Sequence, residues 1–181
     1  MRKILFIAAL ALTSSSAFAA SDPNSPSVMS NFNYDYVEAR IGIDPVTFGG
    51  AYSTSIHPNA HAVVRVDSEF ESDYNLAAGL GFHAPINNWA DMTGEMLLRG
   101  VDKKNTSSDL GMEINLGIRQ WIGPQLELGG KVGYVDIDDD DDIIGSVYAR
   151  FHSTELFSIG IEGKINDFYG DQLMLTTRFK M

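Results

Sequence analysis

The residues in this chain whose types could do chemistry are its histidines and scattered carboxylates. His57, His61, His83 and His152 are the only imidazoles among 181 residues, and cysteine is absent. If these residues sit on β-strands, sequence spacing sets their company. A hairpin around Asn59 places His57 opposite His61, a symmetric turn after Phe70 places His61 opposite His83, and the turn at residues 85–88 brings Asp91 opposite His83. Neighbouring strands lie about 4.8 Å apart, so His57, His61, His83 and Asp91 form a row whose chemistry suits zinc or a similar metal. The competing reading is stronger: a rim of hydrogen-bonded histidines whose charge changes below neutral pH. No metal ligand and no cofactor is therefore assigned.

Catalysis finds no better footing. His152 and Ser153 are adjacent, so on a strand they point to opposite faces and leave a nucleophile without a base. The acidic run at residues 138–142 lacks the glycine and spaced glutamate of a calcium loop, and reads as a solvated loop tip. No catalytic residue is assigned, and the chain is not expected to be an enzyme.

One repeated pattern must position all of these groups. Residues 110–119 read Leu-Gly-Met-Glu-Ile-Asn-Leu-Gly-Ile-Arg, so Leu110, Met112, Ile114, Leu116 and Ile118 share one face of a strand and Glu113, Asn115 and Arg119 the other. The same alternation predicts about ten strands, at 36–43, 47–57, 60–70, 74–84, 90–101, 109–121, 126–136, 143–152, 157–166 and 172–181. Eight strands is the alternative count. The connections alternate too: tight, weakly charged turns near Pro58, Pro85, Pro124 and Ser153 take turns with acid-rich ones. In an up-and-down meander every second turn lies at one end, so one rim is short and nearly neutral and the other is acidic. An even count places both chain ends at the short-turn rim.

Which face is buried decides the class. The wet face carries mid-strand charges nearly everywhere: Glu38, Arg40, Arg65, Asp67, Glu95, Arg99, Glu113, Arg119, Glu127, Lys131, Arg150, Glu162, Lys164 and Arg178. A soluble lipocalin-like carrier would turn these outward. The aromatic residues of the oily face favour the opposite sorting. Phe82, Phe151, Phe157 and Phe179 fall toward the tight turns, and Phe48, Phe70, Tyr74 and Tyr134 toward the acidic end, with aliphatic residues between. Two aromatic girdles around an aliphatic band are what a bilayer selects. The expected fold is all-β: an up-and-down antiparallel transmembrane β-barrel with an ion-paired polar lumen.

Residues 1–20 read as a secretory signal, with Arg2 and Lys3, an apolar run from Ile4 to Leu12, and Ala17-Phe18-Ala19 as the cleavage site. Residues 21–35 read as a flexible tail and 36–181 as the barrel. A formal charge of −11 and a pI near 4.6 argue against nucleic acid as a partner, since phosphate backbones need clustered Lys and Arg.

The signal site, the alternating strands and the last strand, Gln172-Leu-Met-Leu-Thr-Thr-Arg-Phe-Lys-Met181, resemble the small Gram-negative outer-membrane barrels of the opacity-protein and OmpA-transmembrane-domain type. That resemblance implies a cell outer-membrane location after export, outer-membrane lipid and lipopolysaccharide as surroundings, a final strand read by the barrel-assembly machinery, and a monomer. The expected role is structural or interfacial in the cell envelope. A narrow passive channel, or minor porin, is the alternative.

Overall fold

The computed structural model describes residues 30–69, 73–102, 108–137 and 140–181. Ten strands follow one another: β1 (Tyr36–Ile43), β2 (Thr47–His57), β3 (Ala60–Ser68), β4 (Tyr74–Asn87), β5 (Ala90–Asp102), β6 (Asp109–Trp121), β7 (Leu126–Ile137), β8 (Asp140–His152), β9 (Phe157–Asp167) and β10 (Gly170–Lys180). Each pairs antiparallel with its sequence neighbours, and β1 pairs with β10 to close the ring. The count is ten, not eight, and among the described residues there is no helix.

The main departure from the expected strands lies at the acidic end. β8 begins at Asp140 rather than at residue 143, and Ile137 pairs with Asp140, so Asp140, Asp141 and Asp142 of the acidic run belong to a strand end; residues 138 and 139 lie outside the described residues. Backbone ladder bonds do not require apolar side chains, and above lipid level acids remain solvated on either face. At the other rim, β4 runs on through Pro85 to Asn87, with a bulge between these residues where pairing ends.

Alternation sorts the side chains inside out relative to a soluble protein. Leu98, Leu110, Ile143 and Leu116 stand outward and exposed, while Glu38, Arg40, Asp67, Arg99, Glu113 and Glu127 are buried within the ring. A carrier dissolved in water needs the reverse arrangement, so the lipocalin-like reading is set aside. Phe48, Tyr74 and Tyr134 are exposed toward the acidic end and Phe82, Phe151 and Phe179 toward the tight turns. Phe157 is half-buried against Phe179, ring centroids 4.9 Å apart. Phe70 lies outside the described residues. Below the lower girdle, the tight turns add Ile56, Ile86, Trp89, Ile122 and Leu156, all exposed.

Two glycines on the inner face make room for rings. A side chain at Gly81 would run into the imidazole of His61, and one at Gly129 into the phenol of Tyr148.

Candidate functional site

The lumen is built by the wet faces of all ten strands, and its charges meet across the ring. Glu127, fully buried, accepts hydrogen bonds from Arg119 Nε (2.9 Å), Tyr148 Oη (2.7 Å) and Arg150 Nη1 (3.5 Å), and lies 3.0 Å from His152 Nε2. Glu38 takes Arg178 Nε (2.8 Å) and Arg150 Nη2 (3.1 Å). At mid-height Arg65 pairs with Glu95, and Asn115 Nδ2 donates to both Glu95 (3.1 Å) and Glu113 (2.7 Å). Lys131 Nζ sits 3.7 Å from Glu95. Toward the acidic end Arg99 bridges Glu113 (3.1 Å) and Asp167, Arg40 lies 3.7 Å from Asp67 and from Glu162, and Lys164 holds Asp167 (2.7 Å) and Asp67 (3.5 Å). All fourteen charges expected to face inward are thus joined by ion pairs. Pairing of this kind offsets the cost of removing each charge from water.

Two chambers lie between these side chains. A chamber of about 100 Å³ toward the tight turns is lined by Tyr34, Glu38, Arg119, Tyr148, Arg150 and Arg178 among others, and one of about 40 Å³ toward the acidic end by Asp67, Asn75, Arg99, Glu113, Lys164 and Asp167. Both are bounded by the belt of Arg40, Arg65, Asn115, Lys131, Ser146 and Glu162. At about 10–15 Å³ per water, each holds only a handful of molecules.

The tight-turn mouth is filled by the chain itself. Residues 30–35, the end of the segment expected to be a loose tail, lie inside it, with Phe32 and Tyr34 buried. Phe32 stacks on Trp121, ring centroids 5.4 Å apart, and Tyr34 stacks on His83 at 3.8 Å and His61 at 4.8 Å. The Tyr34 hydroxyl donates to Asp91 Oδ2 (2.9 Å), and Ser30 Oγ bonds the same oxygen. Burial pushes the Tyr34 phenol well above its usual range; Arg119 opposes the shift and Asp91 adds to it, so the hydroxyl keeps its proton. The sequence carried a signal for this seat. Phe32, Tyr34 and Tyr36 are in phase with inward-facing Glu38 and Arg40, so the alternation of β1 extends back into the tail.

The acidic mouth is crossed from one side. Asp167, at the end of β9, reaches Arg99 on β5, and Tyr169 in the β9–β10 turn donates to Asp73 Oδ2 (2.5 Å) and to the Asp67 carbonyl (3.2 Å) in the β3–β4 region.

The expected row of His57, His61, His83 and Asp91 does not form. A bulge between Ser55 and His57 ends the β2–β3 pairing at the rim and leaves His57 exposed. His61 pairs with Ser55 and Gly81, and His83 with Thr93, each two residues from the symmetric register, so facing is kept while the partners change. Closing a barrel staggers its strands, and the bulges absorb the difference. His61 and His83 therefore stand 5.8 Å apart between ring centroids, with the Tyr34 ring packed on both. Asp91 is occupied with Tyr34 and Ser30. Among the described residues no group of three His, Cys, Asp or Glu side chains could hold a metal ion.

No family model matches the chain, and neither does any curated protein. Solved structures share its fold. The KdgM porin, and the same porin in complex with disordered oligogalacturonate, each align with a TM-score of 0.53 at 9% identity, covering 81% of this chain and 99% of theirs. The NanC porin aligns over the same shares at 9% identity with a TM-score of 0.49. The fold is a porin-like transmembrane β-barrel.

Proposed function

We propose that the chain is an outer-membrane β-barrel with a structural or interfacial role in the envelope, its lumen closed at rest. The observation that carries this reading is the lumen itself: charges paired throughout, a belt at mid-height, and side chains across both mouths. Residues 1–20 act as a signal removed on export. The tight turns face the periplasm and the acidic rim faces outward among lipopolysaccharide. The barrel-assembly machinery receives β10, and the folded protein is a monomer. Kinship with opacity-protein and OmpA-type barrels belongs to the same proposal. Planar-bilayer recording of the purified protein tests closure: the expected trace lacks steady conductance steps, and large steady steps would overturn it. Cell fractionation, with gel mobility compared before and after boiling, tests location.

A second reading, a narrow channel, is favoured by the walls of the larger chamber. Arg40, Arg65, Arg119, Lys131, Arg150 and Arg178 line it against Glu38, Glu95 and Glu162. A path through such a chamber favours anions. Reversal potential across a salt gradient separates this reading from the first, because a closed barrel gives no current to reverse.

A further inference from the structure

The seat of residues 30–35 is more selective than a stopper needs. Tyr34 lies nearly parallel to His83, at 9°, and its other ring contact is His61. The guanidinium of Arg119 is 4.7 Å from the ring centroids of both Phe32 and Tyr34. Trp121 covers Phe32, and Asp91 accepts from the phenol. Stacking, cation–π attraction and one buried hydrogen bond thus read two aromatic rings spaced two residues apart. Further hydrogen bonds hold the same segment in place: Ser53 Oγ donates to the Tyr34 carbonyl (2.6 Å), Met181 N to the Asp35 carbonyl (3.1 Å), and the Asn31 side-chain Nδ2 to the Asn88 carbonyl (2.8 Å).

The occupant belongs to no strand. Residues 30–35 precede β1 and take no part in its pairing with β2 or β10. Their departure breaks side-chain contacts and a few hydrogen bonds but no barrel ladder. Behind them lies the larger chamber, to which Tyr34 contributes a wall.

We infer that the tight-turn mouth is a peptide-recognition cleft for an extended aromatic-x-tyrosine segment, that residues 30–35 are its resident occupant, and that the larger chamber opens to the periplasm when they leave. This rests on the closed-lumen reading above. Tethering keeps the occupant at high local concentration, so the cleft is filled at rest and is vacated by weakening the segment or by competition from a similar one.

Cysteine accessibility tests the inference, since the chain has no cysteine. Thr93 lines the larger chamber one inward position beyond Asp91, so Thr93→Cys reports entry through this mouth. Folded protein, verified by its heat-dependent gel mobility, is treated with a small water-soluble methanethiosulfonate. Labelling is slow in the otherwise native chain. It rises roughly tenfold in Phe32→Ala/Tyr34→Ala, the factor expected from losing two aromatic contacts. Tyr34→Phe, which keeps the stack and loses the bond to Asp91, gives an intermediate rate. The free hexapeptide Ser-Asn-Phe-Asn-Tyr-Asp restores protection to the double variant, and a scrambled peptide does not. Slow labelling in both proteins overturns the cleft alone, and fast labelling in the otherwise native chain overturns the closed lumen first. A double variant that opens but ignores the hexapeptide removes the recognition claim. If that variant fails to fold, Phe32→Ala and Tyr34→Ala taken singly carry the same comparison.

Discussion

Replacing Ile114 with arginine tests the orientation of every strand at once. Ile114 stands outward on β6, exposed, with Met96 of β5 and Tyr134 of β7 as its cross-strand partners. It is five residues from Asp109 and seven from Trp121, the ends of β6. With a rise of about 3.4 Å per residue and a tilt of about 40°, it sits ~13 Å below the acidic rim and ~18 Å above the tight-turn rim, inside the apolar band between the bilayer centre and the girdle to which Tyr134 belongs. Arginine at that depth on the lipid face costs about 2–4 kcal/mol. Leu110 shares the face but stands next to the acidic rim, so Leu110→Arg is expected to cost about 0–1 kcal/mol. Urea titration of protein folded into phospholipid vesicles, with the folded fraction read by gel mobility, gives both values. The difference between the two carries the argument, because a general loss of β-propensity affects both alike. Equal, small costs would mean that the oily face of β6 does not meet lipid.

Other substitutions probe the interior. Glu127→Ala strips the common partner from Arg119 and Arg150 in a fully buried position, and about 3–5 kcal/mol of stability should be lost in the same titration. Gly129→Val forces Tyr148 off Glu127 and is expected to cost about 1–3 kcal/mol by overpacking; a neutral result would show that the phenol has room to move. Arg99→Ala leaves Glu113 and Asp167 without the cation between them. A cysteine at Asn75, which lines the smaller chamber, should then react faster with a thiol reagent added from the acidic side.

The ring of strands was legible because alternation is a local property. Each run of residues 110–119 type carries its own in-or-out assignment, and ten of them agree, so an error at one end of a strand does not spread. Facing followed from the same parity, which is why Glu38, Arg65 and Glu127 could be placed inward before their partners were known. Pairing register was not legible in this way. It depends on bulges at Ser55/His57 and Pro85/Asn87 and on the stagger imposed by closure, neither of which leaves a mark in a single strand. His57, His61 and His83 consequently meet different neighbours from those expected. The buried tail failed for another reason: two prolines and several polar residues precede it, and composition masked the continued phase of Phe32 and Tyr34.

The contact between Glu38 and Arg178 spans 140 residues of chain, and it lies on the seam where β1 meets β10. Bringing two points that far apart together costs about 4 kcal/mol of loop entropy, and none of it is returned until the whole meander is in place. Eight residue pairs align β1 with β10, and Glu38, bonded also to Arg150 of β8, buckles the seam from inside. Every other hairpin can assemble from local neighbours. The seam cannot, so it forms last, and the barrel's lifetime against unzipping is set there, where a charge cluster on the inner wall fastens the first strand to the last.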